Sequence, residues 1–123
     1  MLNGDFQVGP TPLLNYQSAI DRRASGEPLP YVTGFSGFRH LTLHCDTRAL
    51  IPRPETEGLV DLLLHRVREG RVVDVGTGSG CLALSLAQEG NFSHVLAIDC
   101  SGSALALTRE NQELVGLDIE LVQ

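Results

Sequence analysis

The sequence predicts an α/β fold: a partial parallel sheet, preceded by a β-hairpin and a short helix. Three observations carry the sheet. The β-branched run Val72-Val73-Asp74-Val75 meets the cluster Gly76-Thr77-Gly78-Ser79-Gly80. Small and apolar residues then follow at helical spacing, Cys81-Leu82-Ala83-Leu84-Ser85-Leu86-Ala87. Next, the apolar run Val95-Leu96-Ala97-Ile98 ends in Asp99, and a helical pattern opened by Ser101-Gly102-Ser103 leads to a third run, Ile119-Glu120-Leu121-Val122. Strand, helix, strand, helix and strand with short links form a parallel sheet with right-handed crossovers.

Composition narrows the function. A chain of 123 residues has room for one domain. Nine basic against fifteen acidic residues give a net charge of −6, which argues against sequence-independent nucleic-acid binding. The cysteines Cys45, Cys81 and Cys100 are odd in number and widely spaced. That argues against a disulfide framework or zinc knuckle and makes a reducing cytoplasm the simplest compartment. No apolar run reaches membrane-spanning length, and no signal pattern opens the chain.

Taken in order, residues 1–12 read as irregular. Residues 13–25 read as a short helix with Leu13, Tyr16, Gln17 and Ile20 on one face and Gly26 as its stop. Pro28 and Pro30 break any helix beyond. Alternation from Tyr31 to Cys45 predicts a hairpin, with strands Tyr31–Phe35 and Leu41–Cys45 around Ser36-Gly37-Phe38-Arg39-His40. His40, His44 and Cys45 lie close in sequence, but neighbours on a strand point to opposite faces, so no metal site is expected. Pro54 suits a helix start, Glu55 and Glu57 favour the positive end of its dipole, and Leu59, Val60, Leu63 and Val67 recur at helical spacing. Arg66 and Arg68 fall in its last turn before Gly70. Strands at 71–75 and 94–98 flank a helix from about 79 to 89. In the last helix Ala104, Leu107, Asn111 and Val115 share related faces, and Gly116 ends it. Cys81 and Cys100 are expected to be packed small residues, since no His–Asp pairing accompanies them. His65 and His94 carry no expected role.

The glycine turn is the candidate site. Glycine tolerates positive φ and lets a ligand approach the backbone, and the unpaired N–H groups of the following helix attract an anion. The spacing G-x-G-x-G places Cys81 where the dinucleotide fingerprint has its third glycine, and no Lys follows as in a phosphate-binding P-loop. A dinucleotide oxidoreductase is therefore the weaker reading. Asp99, about 20 residues past the loop, stands where an α/β nucleotide site keeps a carboxylate for ribose hydroxyls.

Four stretches in order resemble the HemK/PrmC family of protein-(glutamine-N5) methyltransferases. They are Gly26-Glu27-Pro28-Leu29-Pro30-Tyr31-Val32-Thr33-Gly34, then Phe38, then Leu50-Ile51-Pro52-Arg53-Pro54-Glu55-Thr56-Glu57, then Asp74 to Gly80. The resemblance implies a partial class I methyltransferase (Rossmann-like) sheet, and transfer of a methyl group from S-adenosylmethionine to a glutamine side-chain nitrogen of a peptide-chain release factor. It also implies that Gly76, Thr77, Gly78, Ser79 and Gly80 wrap the cofactor and that Asp99 holds its ribose hydroxyls. Asp74 would orient the methionine amine, and Pro52-Arg53-Pro54 would wall the pocket. Ribosomal-protein glutamine methyltransferases are a close alternative; a non-catalytic module binding the cofactor or a protein partner is another.

The family's Asn-Pro-Pro-Tyr signature is absent from the 123 residues. The expected division is residues 1–30 as the remnant of an N-terminal helical substrate-binding domain and its linker, and 31–123 as the first part of the cofactor-binding domain. Only three of the seven strands usual for such a domain are expected. The glycine-bearing strand then lies at an open edge, so the chain is expected to be marginal and catalytically silent.

Overall fold

The computed structural model describes residues 10–123 and orders them as α1 (Pro10–Ala24), α2 (Leu29–Thr33), β1 (Phe35–Phe38), β2 (Leu41–His44), α3 (Pro54–Arg66), β3 (Glu69–Val75), α4 (Cys81–Glu89), β4 (Asn91–Ile98), α5 (Gly102–Val115) and β5 (Glu120–Val122). The expectation for residues 1–9 lies outside the described residues. β3, β4 and β5 form one parallel sheet in that order, and β1 and β2 form an antiparallel hairpin. Among the described residues β3 is an edge strand, as expected.

Register explains the burial. Partners across a parallel sheet share a face, so Val72 with Val95, and Asp74 with Ala97 and Leu121, look toward the helices. There they join Leu84 and Leu86 of α4, Val60 and Leu64 of α3, and Phe38, Leu41 and Leu43 of the hairpin in one core. The opposite rows are Val73 with Leu96 and Glu120, and Val75 with Ile98 and Val122. No helix among the described residues covers them, and Val73 and Val75 are 52% and 77% exposed. Parallel sheets are ordinarily covered on both faces. This one has a single clothed face.

The first third differs most from expectation. α1 starts at Pro10 rather than 13, because proline at the first turn loses no hydrogen bond. Its apolar residues meet nothing: Leu13, Tyr16 and Ile20 are each about half exposed or more. Tyr31, Val32 and Thr33 belong to α2 and not to a strand; Pro30 sits in the first turn, and Gly34 closes the helix at φ 78. The hairpin is therefore Phe35–Phe38 paired with Leu41–His44, with Arg39-His40 alone as its loop. Thr33 and Gly34, at the left-handed stop, leave no room for the longer strand expected. α3 ends at Arg66, so Val67 is its C-cap and Arg68 lies beyond, donating from Nε to the Leu64 carbonyl at 3.0 Å. Leu59 points outward and is 48% exposed, while Val60, Leu63 and Leu64 form the inner face. β3 takes in Gly70 at φ 98, where the register with β4 shifts.

Two arginines fasten the pieces. Arg39, itself at φ 50, forks Nε and Nη2 onto Glu89 of α4 at 2.6 Å, and also reaches Asp61 and, through Nη1, the Glu57 carbonyl of α3. The hairpin tip thus bolts α3 to α4 by charge-assisted, bidentate contacts. Arg48 does the same for the loop after β2, reaching Asp46 and Glu110 of α5. The Tyr31 hydroxyl donates to the Ala49 carbonyl at 3.0 Å. Together these hold Ile51-Pro52-Arg53 beside the carboxyl ends of the strands. Among the described residues no helix is long and apolar enough to cross a membrane.

Candidate functional site

A turn crowded with backbone polar groups must find partners for them, and the glycine turn does so almost completely. Gly76 and Thr77 donate their N–H groups to the Ile98 carbonyl at 2.8 and 3.0 Å, and Gly80 donates to the Thr77 carbonyl at 2.9 Å. Gly78 donates to Asp99 Oδ2 at 2.9 Å. The Gly78 carbonyl accepts from the Thr108 hydroxyl at 2.8 Å, and the Ser79 carbonyl from Asn111 Nδ2 at 2.9 Å. Gly76 and Gly80 both stand at φ 81, a conformation that L side chains rarely adopt. A β-carbon on Gly80 would come within 2.6 Å of Thr108 Cγ2, so glycine is required there twice over. Gly80 caps α4, whose first turn opens onto the loop.

The two carboxylates differ in environment. Asp99, half-buried, also accepts from the Ser101 N–H at 2.9 Å on Oδ1. The backbone N–H groups of Ser101 and Gly78 hold it below the usual carboxylate range. Each of its oxygens has a lone pair left for a hydroxyl donor. Asp74 is buried at 8% exposure and accepts from the Thr77 hydroxyl at 2.7 Å. Burial pushes its pKa up, against the opposing pull of that hydroxyl. A buried carboxylate of this kind gains from a cation brought against it.

Two clefts meet at Gly76. One, of about 330 Å³, is lined by Val75, Gly76, Ile98, Asp99, Cys100 and Gln123. The other, of about 170 Å³, lies between the loop and the proline segment, with Pro52, Arg53, Thr56, Asp74 and Cys81 in its walls. The pair straddles the carboxyl edge of the sheet, where open α/β sheets bind ligands. One cleft carries an ionised carboxylate beside apolar strand ends. The other carries a buried carboxylate facing an exposed arginine, a match for the two charges of an amino-acid group.

The expected residues thus converge: Asp74, Gly76 and Asp99 line the clefts, while Thr77, Gly78, Ser79 and Gly80 form the wall behind them. Arg53, read from sequence as a helix-entry residue as readily as a pocket one, lines the second cleft. Cys81 is packed, and burial raises its thiol pKa. Cys100 is a correction: it is exposed and lines the first cleft, because the chain turns out of the sheet after Ile98. His40, His44 and Cys45 do not converge; His44 lies against the Phe35 ring at 4.8 Å and Cys45 is buried. Thr108 and Asn111 were missed as loop partners. Asn111 sat in plain view on the apolar face of α5, and a polar side chain there must be satisfied by something it meets in the fold.

Comparison with known proteins now has a geometry to explain. The release factor glutamine methyltransferase of Deinococcus radiodurans is 44% identical across 100% of this chain and 45% of its own length. That of Lactococcus lactis is 43% identical across 83% of the chain and 38% of its own. The chain spans less than half the length of these curated relatives. A solved S-adenosylmethionine-dependent methyltransferase, so described with reservation, from Methanococcus maripaludis superposes with a TM-score of 0.50. It is 28% identical, covering 53% of this chain and 31% of its own. The fold is accordingly that of a partial class I methyltransferase. Residues 54–123, from α3 through the glycine loop to β5, match the model of the methyltransferase small domain, and the chain belongs to that family.

Proposed function

We propose that this chain is the cofactor-binding part of an S-adenosylmethionine-dependent methyltransferase that modifies a glutamine side-chain nitrogen in peptide-chain release factors. The observation that carries the cofactor reading is the pairing of Asp99 with the glycine loop at the junction of two clefts, one for a nucleoside and one for an amino-acid group. The release-factor substrate rests on the names of the relatives. Residues 31–123 are assigned to the cofactor-binding domain and residues 1–30, described from Pro10 onward, to part of a substrate-binding domain and its linker ahead of it.

The residues fit the cofactor. Asp99 would accept from the ribose hydroxyls through the lone pairs its backbone donors leave free. Asp74 would take the methionine ammonium, which offsets the cost of burying its charge. Arg53 would stand near the carboxylate, and Gly76 would let the ligand lie against the backbone. The cofactor supplies an electrophilic methyl group on a sulfonium. Asp74, Gly76, Thr77, Gly78, Ser79, Gly80 and Asp99 bind and orient it; none of them activates a nucleophile. The amide nitrogen of glutamine is a weak nucleophile because its lone pair is delocalised, so methyl transfer to it depends on positioning. No residue of these 123 is assigned that task.

Calorimetric titration with S-adenosylhomocysteine tests the reading, with NADH as the rival ligand. Saturable binding of the first and none of the second is expected, and Asp99→Ala should weaken it tenfold or more, roughly what a hydrogen bond to a charged group contributes. A folded chain that ignores S-adenosylhomocysteine would sink the cofactor assignment. The chain alone should not methylate release-factor glutamine, and turnover by it would overturn the division of labour.

A further inference from the structure

We propose that Thr108, supported by Asn111, is a positioning residue for the cofactor: from α5 it sets the shape of the glycine loop before any ligand arrives. The proposal rests on the cofactor reading above and extends it to residues that touch no part of either cleft.

The loop has two sides. From the strand side, Ile98 and Asp99 take the N–H groups of Gly76, Thr77 and Gly78. Those bonds fix where the loop begins. The carbonyls of Gly78 and Ser79 point the other way and would otherwise be free to swing, since glycine on either side imposes little torsional restraint. α5 takes both. Thr108 Oγ1 donates to Gly78 O at 2.8 Å, with its second contact at 3.2 Å to Ala104 O of its own helix. Asn111 Nδ2 donates to Ser79 O at 2.9 Å.

Both side chains are fully buried at 0% exposure. The Asn111–Ser79 bond is buried and the Thr108–Gly78 bond part-buried, so both donors are shielded from water and the Ser79 carbonyl has lost its hydration. A buried carbonyl deprived of its donor carries the full desolvation penalty, so the loop cannot release these contacts cheaply. Asn111 uses its remaining capacity on β2, accepting from the His44 N–H at 2.6 Å and donating to the His44 carbonyl at 3.1 Å. Its carboxamide thus completes the free edge of the hairpin as a neighbouring strand would. Hairpin, loop and helix are held as one body. A loop locked in its binding shape loses less entropy when a ligand lands, which is how preorganisation raises affinity.

Two replacements separate positioning from packing. Thr108→Val keeps the shape that touches Gly80 and removes the hydroxyl, whereas Thr108→Ser keeps the hydroxyl and removes the methyl. In the ligand-free chain, amide hydrogen exchange at Gly80 should quicken about tenfold in Thr108→Val, with exchange in β4 unchanged. The dissociation constant for S-adenosylhomocysteine should rise by a similar factor, about what one lost hydrogen bond gives. Thr108→Ser should keep both near the parent values even where its melting temperature falls. If Thr108→Val leaves loop exchange and affinity intact, or if Thr108→Ser is the variant that damages them, the residue is packing and the proposal is overturned. A parent chain with a slow-exchanging loop that binds no S-adenosylhomocysteine overturns the cofactor reading instead, and the positioning role falls with it.

Discussion

Gly76 and Gly80 share a backbone angle of φ 81 and differ in what surrounds them. Nothing stands within 4 Å of a β-carbon at Gly76, whereas at Gly80 Thr108 Cγ2 would be 2.6 Å away. Gly76→Ala should therefore lose about 1–2 kcal/mol of stability, the backbone cost of a left-handed L residue. Gly80→Ala adds a collision with a buried helix and should lose roughly 1–3 kcal/mol more. Chemical denaturation of the two variants gives the difference directly. The acidic residues make a second contrast at this scale. The pKa of Asp74 is raised by burial, so its own share of stability is present at low pH and lost as pH rises through the raised value. The pKa of Asp99 is lowered, so its share is lost only as pH falls well into the acid range. An ammonium ligand needs Asp74 ionised. Affinity for S-adenosylhomocysteine should therefore weaken as pH drops toward and through the raised Asp74 value, above the ordinary carboxylate value of about 4. Titrations from about pH 4 upward should show that slope in the parent and a flat profile in Asp74→Asn.

Among the elements, the hairpin is the piece whose removal would be felt most widely. Phe38 is 1% exposed and Leu43 0%, and the turn residue Arg39 spans α3 and α4. Arg39→Ala would leave Glu89, a mostly buried carboxylate, without its fork of donors. A loss of about 2–3 kcal/mol is expected, in line with charge-assisted bonds, and Arg39→Lys should recover only part of it because an ammonium cannot make the fork. Thermal melts of the three chains check this. The same element shows what a sequence discloses and what it withholds. Alternation at Leu41, Leu43 and Cys45 marked β2, and the run into Gly76 marked β3, since period and turn chemistry are local. The pieces set by long-range partners stayed hidden. Pro28 and Pro30 read as breakers, yet Pro30 sits inside the first turn of α2, where the missing N–H costs nothing. Leu59 and Val60 are equivalent by spacing, and only the position of α4 decides which is buried. Arg39, Thr108 and Asn111 reach across 50, 30 and 32 residues to their partners, and no periodicity carries that distance. The candidate site was legible in its glycines and aspartates because ligand-facing backbone needs those residue types; the residues fastening it from behind were not.

At the scale of the molecule the asymmetry of the sheet governs behaviour. Among the described residues the helices packed on the three strands lie on the Asp74 side, and the far side presents Val73, Val75, Leu96, Ile98 and Val122 to solvent, with His94 and Glu120 paired at 2.7 Å beside them. β3 also offers an unpaired edge next to the same residues. An apolar face continuous with an open strand edge is a surface that soluble chains rarely leave bare. The chain should fold around its buried core and then self-associate, with a concentration-dependent mass in light scattering and binding of a hydrophobic dye. Val73→Thr with Val75→Thr keeps the β-branched shape and lowers the apolar area, so it should shift the population toward monomer while circular dichroism stays unchanged. Val73 lies outside both clefts, and Val75, which lines the first, keeps its β-branched shape as threonine, so neither substitution removes a hydrogen bond to the loop. Affinity for S-adenosylhomocysteine should therefore change less than association does. If the double variant remains as associated as the parent, contacts are made elsewhere, and the half-exposed face of α1 with Leu13, Tyr16 and Ile20 is the next surface to alter.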